Sequence, residues 1–172
     1  LNSSINTILI LVSEGKKQGI NNQAKTFYKY TAYKYILEKQ GPVISNWDGR
    51  LDISKKYVFA RTKLDSTSSG RAEKNPFYIS NVGPKQVNTN KIKLIGDGSH
   101  ISGIKGNQKF TLSFSKFTPY DKLYYFNTDD SSMTGEIKVF SNNWNKLTVY
   151  PRNGIEGSKD IKFDLTLDKK VP

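Results

Sequence analysis

Aromatic and cationic side chains alternate along Phe27-Tyr28-Lys29-Tyr30-Thr31-Ala32-Tyr33-Lys34-Tyr35. Rings interleaved with ammonium groups can stack on bases while the charges neutralise phosphate. Tyr28, Lys29, Tyr30, Tyr33, Lys34 and Tyr35 are therefore candidates for binding DNA or another polyanion. The same residues have a simpler use, which the composition favours: Tyr covers the face of a strand and Lys snorkels at its edge. The chain has 172 residues with 27 Lys plus Arg against 15 Asp plus Glu, a net charge of +12. Such a balance suits an acidic partner but carries no information about fold. No recognised DNA- or RNA-binding motif accompanies it.

The remaining constellations favour structure over catalysis. Asp129-Asp130-Ser131-Ser132 offers oxygen ligands, yet it lacks the ligand alternation and distant Glu of calcium loops. It reads as a turn solvated by its own Asp side chains. Gly96-Asp97-Gly98-Ser99-His100 contains a Ser–His pair, but neighbours on an extended chain point to opposite faces, so a triad geometry is not expected. Gly103-Ile-Lys-Gly106 lies between strands and lacks the helix N-terminus of a phosphate cradle. Cys is absent and His100 is the single His, which excludes thiolate chemistry, disulfides and a His-paired metal site. No catalytic residue, metal site or cofactor is expected, and the chain reads as a non-enzyme.

The opening residues read as a helix ending at Gly15 and Gly19. Leu1, Ile5, Ile8, Leu9 and Val12 match the spacing of one buried helical stripe, and Lys16 and Lys17 fall where a helix C-terminus favours cations. From residue 24 the pattern changes. Thr26–Leu37 has strand composition, Gly41-Pro42 breaks the chain, and Phe110–Phe114, Ile137–Val139, Leu147–Val149 and Ile161–Leu167 alternate apolar with polar residues. Tyr57–Ala60, Phe77–Val82, Lys91–Ile95 and Lys122–Phe126 are further strand candidates, and polar residues 63–76 read as an exposed loop. Strands with one wet face belong to antiparallel sheets. The expected fold is α+β and mostly β: one domain, 1–172, with an amphipathic helix over 1–19 packed on an antiparallel sheet or β-sandwich over 24–172. The longest apolar run, Ile8–Val12, is far short of the ~20 residues that span a bilayer.

Two stretches resemble the H-type pseudopilins and FimT-like minor pilins of type II secretion and type IV pilus systems, and a Gram-positive type IV or competence pilin fits as well. Ser13-Glu14-Gly15-Lys16-Lys17-Gln18-Gly19 is similar to the segment that closes the family's amino-terminal helix. Phe126 to Gly154, with Gly135, Ile137-Lys-Val139 and Lys146-Leu147-Thr148-Val149, is similar to its closing strands. The resemblance implies a hydrophobic helix upstream of Leu1, a membrane anchor before assembly and an extracytoplasmic head at the cell surface or in a pilus. It also implies other pilin subunits as partners, a role in filament assembly or initiation, and DNA or a surface ligand as a further partner. The rival expectation is a free-standing β-sandwich adhesin or glycan-binding module, with Trp47 or Trp144 as a stacking platform.

Overall fold

The computed structural model describes residues 6–66, 70 and 72–147. The chain divides into two compact units, Leu1–Val139 and Phe140–Pro172. The strands are β1 (Thr7–Gln18), β2 (Ala24–Ile36), β3 (Lys39–Val43), β4 (Leu51–Asp52), β5 (Lys56–Ala60), β6 (Phe77–Ser80), β7 (Ile92–Gly96), β8 (Lys109–Phe114), β9 (Tyr124–Asn127), β10 (Asp130–Glu136) and β11 (Val139–Phe140). The helix α1 (Asn142–Leu147) belongs to the second unit. In the first unit a six-stranded sheet runs β3-β2-β1-β5-β8-β7 and a three-stranded sheet runs β10-β9-β6.

The expected amino-terminal helix is not formed; its segment is β1, inside the larger sheet. The reason lies in Ile8-Leu9-Ile10-Leu11-Val12, which is apolar at both parities. Over five residues a helical stripe and a doubly covered strand cannot be told apart by spacing. β-Branched Ile and Val, followed by Gly15, tip the balance to strand. β1 pairs antiparallel with β2 and parallel with β5, so the sheet is mixed where an antiparallel one was expected. Of the proposed stripe, Leu9 and Val12 are buried but on opposite faces, Ile8 is half-buried, and Leu1 and Ile5 lie outside the described residues. Among the described residues no helix reaches seven residues, and none is long and apolar enough to cross a membrane.

Aromatic rings join the two sheets. Phe77 of β6, fully buried, stacks on Phe59 at 5.7 Å, Phe110 at 6.4 Å and Tyr125 at 6.5 Å between centroids. Tyr28 and Tyr30 meet it edge-on at 5.0 and 6.0 Å. Offset and edge-on pairs of this kind add about 0.5–1.5 kcal/mol each beyond the area they bury. On the opposite face of the larger sheet Leu9, Val58 and Ala60 form a second apolar cluster covered by Tyr33, Tyr35 and Leu64. This double covering buries β1 on both sides.

Several turns differ from expectation. β2 and β3 are joined by Leu37-Glu38, both at positive φ (52° and 62°), the backbone of a two-residue hairpin turn that Asn-Gly normally supplies. Gly41-Pro42 does not break the chain: it forms the register shift in β3, where Tyr33 pairs with Val43 but Tyr35 with Gln40. A bulge with Pro suits an edge strand. Leu147, expected in a strand, falls in α1, while Val149 and Ile161–Leu167 lie outside the described residues.

Candidate polyanion-binding ribbon

β1 leaves β5 at the Leu11–Ala60 pair but stays with β2 as far as Gln18–Ala24. The two strands therefore continue as a ribbon from Val12, about 20 Å at strand rise. Its base is clamped. The Arg61 guanidinium is buried against the Glu14 carboxylate and donates to the carbonyls of Val12 (3.1 Å), Asn75 (2.8 Å), Ile104 (3.1 Å) and Lys74 (3.2 Å). Burial pulls its pKa down to about 10, against a smaller upward pull from Glu73, so the group is charged at neutral pH. Beyond this clamp the ribbon is mostly exposed.

The register sorts the ribbon's side chains by face. Lys16, opposite Thr26, shares the inward parity of Val12 and Glu14. Lys17 and Lys25 stand directly opposite each other on the outward parity, with Gly15–Phe27 and Ser13–Lys29 as the next pairs. The Phe27 ring and the Lys29 stem lie over Gly15, where a Cβ would meet each at 2.8 Å. All four lysines are exposed, and among the described residues none has an ion-pair partner. Like charges directly across two strands cost up to about 1 kcal/mol. The fold gains nothing from the Lys17–Lys25 pair; an anion bound there would relieve it.

A hydrogen bond from Gly19 N–H to the Gln23 carbonyl, 2.7 Å, closes the tip. A Cβ on Gly19 would fall 2.7 Å from that same oxygen, so this closure needs glycine. Ile20–Asn22 form a single 3-10 turn with Asn21 at φ 63°. Ile20 is 86% exposed at the apex.

The six residues singled out from sequence do not form one site. Tyr28 is in the core, its hydroxyl donating to the Asn75 and Pro76 carbonyls. Burial, then Tyr125, Asp130 and Asp129, drive its pKa far above the usual phenol range. Tyr30 also faces inward, with a buried hydroxyl that has no partner among the described residues and a pKa raised chiefly by burial. Neither ring can serve as a stacking platform. Lys29, Tyr33 and Tyr35 face outward, the tyrosines committed to the second apolar cluster. Lys34, exposed opposite Ile8, lies off the ribbon, at the other end of the β1–β2 pair where β1 also pairs with β5. Lys16, Lys17 and Lys25 were missed because Lys16-Lys17 fitted a helix end. The available signal was two segments rich in strand-forming residues flanking Gly19-Ile20-Asn21-Asn22.

Elsewhere the polar constellations make local hydrogen bonds and packing contacts. Asp130 accepts the Ser132 N–H and hydroxyl, which lowers its pKa. Ser99 Oγ accepts the amides of Ile101 and Ser102 and lies 3.0 Å from Ser102 Oγ. Gly103, at φ 60°, packs against Pro76. Trp47 is half-buried and donates its indole N–H to the Arg50 carbonyl at 2.9 Å. Comparison of the chain with family models, curated proteins and solved structures finds no match in any of the three.

Proposed function

We propose that the chain is a non-enzymatic β-sandwich binding module whose basic β1–β2 ribbon holds nucleic acid. The observation that carries the reading is the unpaired Lys17–Lys25 couple, with Lys16 and Lys29 beside it. Four ammonium groups on a narrow ribbon match a phosphate backbone, and a two-stranded ribbon is of a size that enters a nucleic-acid groove. The tip adds exposed Asn21 and Gln23, whose amides suit base edges. The filament-subunit expectation rests on a resemblance in Ser13–Gly19 and Phe126–Gly154, and Ser13–Gln18 ends β1 where that resemblance implies the end of a helix. A stacking role for Trp47 is disfavoured by its half-buried, tethered indole.

Competition tests the reading. Labelled protein is challenged with duplex DNA and with a sulfated glycan at equal charge concentration. The expected result is preferential displacement by DNA, weakened in Lys17→Gln/Lys25→Gln. Equal displacement by the glycan would reduce the ribbon to a general polyanion site, and displacement by neither would remove the proposal.

A further inference from the structure

We propose that Ile20 is a wedge that enters the minor groove of duplex DNA and opens a base step, with Asn21 and Gln23 against the flanking base edges. This rests on the reading of the ribbon as a nucleic-acid arm and adds what its tip does. A singly exposed apolar residue needs no explanation by itself. Ile20 differs in being held out: the Gly19–Gln23 bond and the positive φ of Asn21 fix the turn that puts it at the apex. The residues flanking it in sequence, Gly19 and Asn21-Asn22-Gln23, include no apolar side chain.

That combination has a specific physical use. Proteins that bend DNA from the minor groove read it with Lys, Asn and Gln and insert an apolar side chain between base pairs, kinking the duplex by about 20–90°. Unstacking is offset by the extra phosphate contacts that the bend permits. The ribbon carries cations on both of its faces, Lys16 on one and Lys17 and Lys25 on the other, so phosphates on both sides of an opened step come within reach. Anionic lipid fits less well. Entry of this tip into an apolar layer would bury Asn21 and Gln23 without partners, at a cost of several kcal/mol, whereas base edges supply them.

The test uses the full chain and a short duplex with a donor and an acceptor dye at its ends, intact or carrying one central mismatch. Wild-type protein is expected to bring the ends together and to prefer the mismatched duplex about tenfold, because an unpaired base is easier to unstack. Ile20→Ser should abolish the bend and that preference while retaining salt-dependent binding, and Ile20→Leu should keep both. Ile20 is exposed, so an unchanged melting temperature is expected and confirms folding. Bending by Ile20→Ser equal to wild type would overturn the wedge and leave the ribbon's phosphate contacts standing. Absence of DNA binding at 50 mM salt would overturn the wedge together with the nucleic-acid reading. Binding to vesicles containing phosphatidylserine that depends on Ile20, without DNA bending, would overturn both in favour of a membrane contact.

Discussion

Replacing Glu14 by Gln tests how the ribbon is held to the body of the domain. Arg61 is surrounded by the carbonyls of Val12, Lys74, Asn75 and Ile104, and Glu14 is its counter-charge. Both side chains are shielded from water. The substitution keeps the shape and a hydrogen-bonding group but removes the carboxylate in contact with the buried guanidinium, leaving only the weaker pull of Glu73. Removing one member of such a pair costs about 3–5 kcal/mol. For a chain of this size each kcal/mol lowers the melting temperature by roughly 2–4 °C, so a fall of about 10 °C is expected. Urea unfolding followed by tyrosine and tryptophan fluorescence would measure the loss directly. A double-mutant cycle with Arg61→Gln should give a coupling of at least about 2 kcal/mol. A loss under about 1 kcal/mol for Glu14→Gln, or additive effects of the two substitutions, would refute the clamp.

Two further outcomes follow from the fold. Burial raises the Tyr57 pKa to about 12, against the downward pull of the Asp52 N–H that its hydroxyl accepts, and it raises Tyr28, Tyr30 and Tyr78 in the same direction. The folded pKa lies above the unfolded one, so this stability is complete below pH ~10 and is lost as pH rises to ~12, with about 2 kcal/mol from Tyr57 alone. Urea midpoints at pH 8, 10 and 11.5 check the loss, and a flat profile would contradict it. At the β2–β3 turn, Leu37→Asn/Glu38→Gly supplies residues that tolerate positive φ, and Leu37, 81% exposed, gives up no packing. The pair should stabilise by about 1–2 kcal/mol, and an unchanged or lower midpoint would count against the assigned turn.

Much of the sheet was legible, from alternation where one face is wet and from strand composition where, as in Tyr57–Ala60, every residue is buried. Phe110, Leu112 and Phe114 alternate with Thr111 and Ser113, and β8 spans Lys109–Phe114; Tyr57–Ala60, expected as a strand, lies within β5. Reading failed where strand and helix patterns coincide. Ile8–Val12 is covered on both faces, and a doubly buried strand has no alternation to betray it. Leu37-Glu38 carries no turn signal, since the sheet imposes the positive φ on ordinary residues. The candidate site went astray for a related reason. A run of Tyr and Lys looks continuous in sequence, but in an extended chain its members divide between two faces. Lys17 and Lys25, eight residues apart along the chain by their numbering, become neighbours only through the hairpin register.

The central claim is that the ribbon lysines neutralise phosphates, and the salt dependence of duplex binding tests it most directly. With Lys16, Lys17, Lys25 and Lys29 engaged, log K should fall against log salt with a slope near about −3.6. Between 50 and 200 mM that is a loss of about 150-fold. In Lys17→Gln/Lys25→Gln the slope should halve to about −1.8 and the loss shrink to about 12-fold. A wild-type slope retained by the double variant would place the phosphate contacts elsewhere on the molecule and contradict the account.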